Sequence, residues 1–310
     1  LLNLSLLLTN HPQLDKWVAP PTRYTLNAKR FDAWISPNLN FTSLQPNTKH
    51  IQVVHDLSFI INPSWYSKKS QLWHKAIRVN KIFNRANHIV CVSDATKHDV
   101  ISNFPQHKEK VCTIYPGTPQ KQWISATDLK NTKEKFNLPP HFFLFFDGGG
   151  RKNTQFVLDA FKHFKQTNNL PHQLVVVGGG NAMSFWSRAT DDRIPPLHIP
   201  TVSEKEKTAL LKLSNCLLYP SIYEGFGFPP LEAMSESTPV IASWSSSLPE
   251  VIGEAGLLVS PYKPHELSHA MNLVTQPKIR QKLTQEGTKQ TQKFTWHQTA
   301  KDFLKLITEN

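Results

Sequence analysis

From about residue 139 onward, short apolar runs alternate with stretches in which apolar residues recur every three or four positions. That alternation is the mark of strand–helix–strand units and a parallel sheet. The spacing predicts strands at FFLFFD (142–147), LVVVG (174–178), CLLYPS (216–221) and PVIAS (239–243), with GLLVSP (256–261) as a short edge segment. It predicts a helix over 153–166, with Phe156, Val157, Ala160, Phe161 and Phe164 on one face, and further helices over 203–213, 264–275 and 277–291. Ser203 followed by Glu206 forms a capping box for the second of these. The first half repeats the style less regularly, with strands at 31–37, 50–56, 88–93 and 111–117 and helices over 66–86 and 94–103. A polar, lysine-rich link near 118–138 parts the halves, and residues 296–307 again have helical spacing. The predicted fold class is α/β: two facing Rossmann-like domains with parallel sheets. Ligands of such sheets bind beyond the carboxyl ends of the strands, so a cleft between the two domains is expected.

Length and composition fit this picture. At 310 residues, 39% hydrophobic and with 8 Trp, the chain can bury two modest cores and is not disordered. It has no apolar run long enough to span a bilayer. The opening LLNLSLLLTN has neither a basic flank nor a small-residue cleavage site, so a signal peptide is not expected, and the missing initial Met points to a start inside a larger reading frame. Cys91, Cys112 and Cys216 sit in apolar runs without metal-ligand spacing; they read as buried free thiols, which suits a reducing cytoplasm.

The formal charge of +12 is unevenly spread. Residues 1–120 carry 14 Lys/Arg against 6 Asp/Glu, a net of +8, which leaves 21 against 17, or +4, for the rest. No acid lies between Asp56 and Asp94, and within residues 65–85 six lysines and arginines are interleaved with Trp65, Tyr66, Leu72, Trp73, Ile77 and Phe83. That pattern suits a basic amphipathic helix against anionic lipid or a phosphorylated substrate; it equally suits a solvated face whose aromatics pack inward. Nothing beyond net charge points to nucleic acid, and no such partner is expected.

The most informative stretch is EGFGFPPLE, 224–232. Two glycines and two prolines in nine residues exclude a helix interior. The stretch reads as a loop leaving the strand CLLYPS, with Pro229 or Pro230 opening a helix and Glu232 in its first turn. Glycine-exposed amides at a helix start suit phosphate. Phosphate would repel the two carboxylates, so Glu224 and Glu232 are expected to accept hydrogen bonds from neutral hydroxyls, as sugars and riboses supply.

EGFGFPPLE resembles the E-x7-E motif of the retaining family 4 glycosyltransferases, which have the two-domain GT-B fold. GGGRKNTQFVLDAF (148–161) is similar to that family's phosphate-binding strand-loop-helix, HDLSF (55–59) to its amino-domain active-site loop, CVSDATKHDV (91–100) to the following strand-helix, and 238–271 to the run after the motif. The resemblance spans about 50–305, with these four stretches in order around the E-x7-E motif. It implies that Glu224 holds donor-sugar hydroxyls and Glu232 the ribose hydroxyls. Gly225, Phe226, Gly227 and Phe228 would present amides to sugar and diphosphate. Arg151 and Lys152 would neutralise the departing diphosphate without a metal or other cofactor. His55 and Asp56 would lie at the sugar face near the acceptor. The backbone around Pro200 to Ser203, with Val202, would contact the base, and Leu231 joins the donor-binding set. Retention would follow from front-face attack, with the leaving phosphate helping to take the acceptor's proton.

The resemblance also sets domain bounds: an acceptor domain at 1–120, a nucleotide-sugar domain at 121–292, and a terminal helix at 293–310 returning to the first domain. Residues 1–13 resemble only the end of the helix that follows the family's first strand and glycine-rich loop, and GGGRK is shorter than the usual spacing between the glycines and Arg-Lys. VVVGGGNA (175–182) lacks dinucleotide spacing and reads as a strand-end turn, and Asp191-Asp192 reads as an exposed pair and not a metal site. The expectation is a cytoplasmic transferase, peripheral to the membrane through 65–85, moving a hexose, mannose from GDP-mannose first, from a nucleotide diphosphate sugar to a glycan or lipid-linked glycan. The alternative is a non-catalytic nucleotide-sugar-binding or scaffold relative disabled by the missing amino-terminal strand.

Overall fold

The computed structural model describes residues 33–40, 48–179 and 195–308. The expectations for residues 1–13, the first two residues of the 31–37 strand, the end of VVVGGGNA and the Asp191-Asp192 pair lie outside these. The chain forms two compact units, one running to Tyr115 and resumed from His297, the other Pro116–Trp296.

The first unit carries four parallel strands in sequential order: β1 (Ala33–Ser36), β2 (Lys49–Val54), β3 (His88–Cys91) and β4 (Val111–Thr113). Between β2 and β3 run α1 (Ser58–Ile61), α2 (Lys68–Ile77) and α3 (Val79–Arg85); α4 (Asp94–Asn103) follows β3. The single helix expected over 66–86 is broken at Arg78, which takes a left-handed φ of 53°. The apolar spacing explains the break. Ile77 and Val79 are two positions apart, so one continuous helix would aim them in opposite directions. With the break, both join Ile82 and Phe83 in the core that covers Val54, Ile89 and Cys91.

The second unit is a six-stranded parallel sheet of order β10-β9-β8-β5-β6-β7. Its elements are α5 (Ala126–Lys135), β5 (Phe142–Asp147), α6 (Thr154–Thr167), β6 (Gln173–Gly178), β7 (Leu197–Ile199), α7 (Glu204–Leu213), β8 (Cys216–Tyr219), α8 (Phe228–Ser235), β9 (Val240–Ser243), α9 (Leu248–Ile252), β10 (Gly256–Val259), α10 (Pro264–Val274) and α11 (Pro277–Thr291). The continuous apolar run of β5 fits a central strand buried on both faces, and Phe142 through Phe145 are all buried. All five predicted apolar residues of α6 are buried; the helix packs with Leu267, Ala270, Met271 and Val274 of α10. Burying each Phe contributes about 3 kcal/mol.

The stretch taken for a link, 118–138, contains α5. This helix and α7 both begin with complete capping boxes, Ser125 with Asp128 and Ser203 with Glu206. Each capping acid also meets a lysine of the other helix: Lys205 lies 2.8 Å from Asp128, and Lys135 lies 2.5 Å from Glu206. Near the unit's two ends, Gly117 lies so close to Trp296 that an added Cβ would sit 2.3 Å from its backbone nitrogen.

The last helix, α12 (Trp296–Thr308), lays Phe303, Leu306 and Ile307 on the face of the first sheet formed by Ile51, Val90 and Ile114. The three cysteines are free thiols; Cys91 and Cys216 are buried, while Cys112 is only half-buried, against the expectation. Among the described residues, no helix is long and apolar enough to cross a membrane.

Candidate functional site

Strand order picks out where a ligand belongs in the second unit. From β5 the chain steps outward to β6 and β7, then returns to β8 on the other flank and steps outward again to β9 and β10. The order therefore reverses between β5 and β8, and the loops at their carboxyl ends diverge to leave a crevice. One of those loops carries Arg151 and Lys152 and the other carries Glu224, so the sheet brings together residues that the sequence separates by more than seventy positions.

The first loop leaves β5 through Gly148 and Gly149, the latter with φ of 100°, and makes a single tight turn over Gly150–Lys152. Asn153 then takes a left-handed φ of 65° and donates to the Pro261 carbonyl at 2.7 Å, which ties the loop to the chain beyond β10. The Arg151 carbonyl accepts from Ile222 N–H at 2.8 Å, so the two loops are joined through their backbones. Thr154, at the start of α6, donates to Asp147 at 2.6 Å.

Glu224, 7% exposed, sits in the second loop. Its Oε1 lies 2.6 Å from Lys152 Nζ. Lys152 also donates to the Tyr219 hydroxyl at 2.5 Å and stands 4.2 Å from the centre of that ring. Burial pulls the Lys152 pKa below the ordinary lysine value, and the Glu224 carboxylate opposes this. Burial, then the negative charge of Glu224, pushes the Tyr219 phenol well up. A buried ion pair gains little over an apolar one, but breaking it by removing one partner costs about 3–5 kcal/mol.

The backbone around Glu224 is held by two serines from the loop after β9. Ser246 Oγ accepts from Glu224 N–H at 2.8 Å; Ser247 Oγ lies 2.9 Å from the Glu224 carbonyl and 2.7 Å from that of Phe226. Phe226 is buried edge-on to Phe228 and Phe294, with ring centres 5.2 and 5.5 Å apart. Gly225 is buried with it. Gly227 caps α8 with φ of 118°, where an added Cβ would also touch Leu248 at 3.0 Å. That position calls for glycine on both counts.

Phe228 opens α8 with Pro229 next to it, as the loop-to-helix reading requires, and Leu231 is fully buried beneath. Glu232 does not fall in the first turn: it is the fifth residue of α8, because Phe228 and not a proline begins the helix. Its carboxylate lies 2.6 Å from Lys207 of α7, which also approaches Glu204 at 3.5 Å. Both acids of the motif thus meet a lysine ammonium within the protein. Val202, half-buried, immediately precedes the Ser203 cap of α7.

In the first unit His55 follows β2, exposed, and its Nε2–H donates to the Pro37 carbonyl at 2.9 Å. Asp56 accepts from Ser58 N–H at 2.9 Å and from its hydroxyl, which in turn meets the Tyr66 hydroxyl. Beside them at the carboxyl ends of β3 and β4, Asp94 accepts from Thr113 at 2.6 Å and Tyr115 at 2.9 Å. Among the described residues, no three His, Cys, Asp or Glu side chains are grouped to hold a metal ion. The sequence reading missed Tyr219, Lys207, Ser246 and Ser247; the pair SS within WSSSLPE, following a predicted strand, was the only signal for the last two.

Residues 128–290 match the family described as Glycosyl transferases group 1, and residues 4–121 match Glycosyltransferase Family 4. The chain is 25% identical over 286 residues to O-antigen chain mannosyltransferase B of Escherichia coli, covering 89% of this chain and 74% of that protein. It is 31% identical over 182 residues to O-antigen chain mannosyltransferase RfbU of Salmonella typhimurium, covering 57% of this chain and 48% of that one. Its fold is similar to that of Anabaena Alr3699/HepE, solved with UDP and glucose, at a TM-score of 0.65 and 18% identity, over 85% of this chain and 72% of the other.

Proposed function

The chain belongs to the group 1 glycosyl transferases and is a glycosyltransferase of the GT-B fold, and from that premise we propose that it moves a hexose, mannose first, from a nucleotide diphosphate sugar to a glycan or lipid-linked glycan with retention. The observation that carries this reading is the meeting of Lys152 and Glu224 at the point where the strand order of the second sheet reverses. A carboxylate for sugar hydroxyls and a cation for the departing diphosphate then stand side by side, as cleavage of a sugar–phosphate bond requires. Mannose rests on the two O-antigen mannosyltransferases that the chain resembles.

In this reading Glu224 orients the donor sugar and Lys152, with Arg151, neutralises the diphosphate as it leaves. No metal or other cofactor takes part. Glu232 holds the ribose, with Lys207 fixing its carboxylate, while Val202 and Leu231 border the base. The amides of Gly225 to Phe228 face sugar and diphosphate, and His55 and Asp56 serve the acceptor. Leu72 and Trp73, 59% and 43% exposed between Lys68, Lys69 and Lys75, favour peripheral contact with anionic lipid over a purely solvated face. Salt-sensitive sedimentation with phosphatidylglycerol vesicles, absent with phosphatidylcholine, would support that contact; equal behaviour with both would remove it.

The site is tested by thermal unfolding of the protein and of Glu232→Ala with GDP-, UDP- and ADP-sugars. Ligand at about 100 times its dissociation constant adds about 2.7 kcal/mol. A midpoint raised by GDP-mannose and not by the others, and lost in the variant, is the expected result. A rise with a different donor would replace mannose or guanine, and no rise with any would overturn the site.

A further inference from the structure

The mechanism above makes no use of Tyr219. The residue ends β8 and is 1% exposed. Packing alone would be served as well by phenylalanine, which this sheet uses freely in β5 and α6. A buried hydroxyl is costly unless it is hydrogen-bonded, so the extra oxygen needs a partner that repays it. Its partners are Lys152, which donates to the hydroxyl at 2.5 Å, and the Glu224 carboxylate, which accepts from the phenol.

The contact bears on what the lysine can do. An ammonium has three N–H donors on a flexible four-carbon stem. Glu224 holds that group from one side at 2.6 Å. Tyr219 holds it from a second direction. We propose that Tyr219 is a positioning residue of the donor site, holding Lys152 by its hydroxyl so that the third N–H of the ammonium is left for a nucleoside diphosphate oxygen. The phenol suits this role because burial and the neighbouring Glu224 keep it protonated. The hydroxyl therefore remains a neutral acceptor for the ammonium and places no second negative charge near the diphosphate.

The inference rests on the donor-site reading above, and its test separates the two. GDP, UDP and ADP, each beside its own nucleoside, are titrated calorimetrically into the wild type, Tyr219→Phe and Glu232→Ala. Tyr219→Phe keeps the ring and its packing. It should bind the preferred diphosphate about ten- to a hundredfold more weakly, as expected for a lost charged hydrogen bond, with affinity for the matched nucleoside unchanged. Its loss of diphosphate affinity at alkaline pH should also begin at lower pH than in the wild type, because a lysine deprived of an acceptor gives up its proton more readily. Unchanged diphosphate binding in Tyr219→Phe would overturn the proposal, as would equal weakening of diphosphate and nucleoside, which marks a merely structural residue. If the wild type binds no diphosphate, or Glu232→Ala binds as the wild type does, the donor site itself is wrong and the role of Tyr219 falls with it.

Discussion

The carboxyl ends of the two sheets handle polar groups in opposite ways. At the end of the second sheet, Glu224 and Lys152 are both largely withdrawn from water and neutralise each other at 2.6 Å. At the end of the first, Asp94 takes neutral hydroxyls from Thr113 and Tyr115, and His55 leans on a backbone carbonyl while exposed. Burial sets the difference. A charge left in water is satisfied by any donor, whereas a charge taken out of it needs a countercharge close by. The second sheet can take its charges out of water because its strand order reverses between β5 and β8 and opens a crevice there; the described strands of the first run in sequence and have no such point.

The sharpest way to break this contrast is to remove a countercharge. Lys152→Met leaves Glu224 buried and unpaired, and should cost about 3 kcal/mol in urea unfolding; a loss below about 1 kcal/mol would mean that the pair is effectively solvated. A smaller effect should be common to both sheets. His50, 3% exposed within β2, and His172, stacked on Phe143, each have a pKa lowered to about 4, chiefly by burial. Folding therefore favours their neutral forms. The stabilisation is complete above the unfolded value of about 6.5 and drains away as pH falls from there toward 4, with about 2 kcal/mol lost for each ring by pH 5. Urea midpoints at pH 7, 5 and 4 should fall in that order, and His172→Phe should flatten the slope; an unchanged slope would show that this ring does not titrate on unfolding. The smallest effect belongs to the first sheet. Asp94→Asn keeps one acceptor oxygen, and the second hydroxyl can turn to accept from the new amide; the change should cost less than about 1 kcal/mol, and a larger loss would mean that its charge matters as much as that of Glu224.

Much of this architecture is legible in the sequence because its signals are local. FFLFFD and residues 94–103 read directly as the strand and helix they form, and the capping box at Ser203 marks the start of α7 to the residue. The errors fall where a longer-range contact decides. Residues 126–135 look like a link because α5 is so polar; it is held by its cap and by α7, neither of which depends on an apolar stripe. β7 is only three residues long and exists through its pairing with β6. The glycines and the two glutamates stand out within EGFGFPPLE, and Arg-Lys comes from the family resemblance of GGGRK, but Tyr219 and Lys207 are marked by neither. Nothing near either residue in the chain reveals that the fold will set one beneath Lys152 and the other beside Glu232.

The exchange of partners between α5 and α7 has a consequence for how this sequence can drift. Asp128 and Glu206 each start their own helix and anchor the other, so one substitution at either position undoes two interactions. Relatives that lose one of these acids should carry a matching change at Lys205 or Lys135, which makes these four positions the place to look for correlated inheritance.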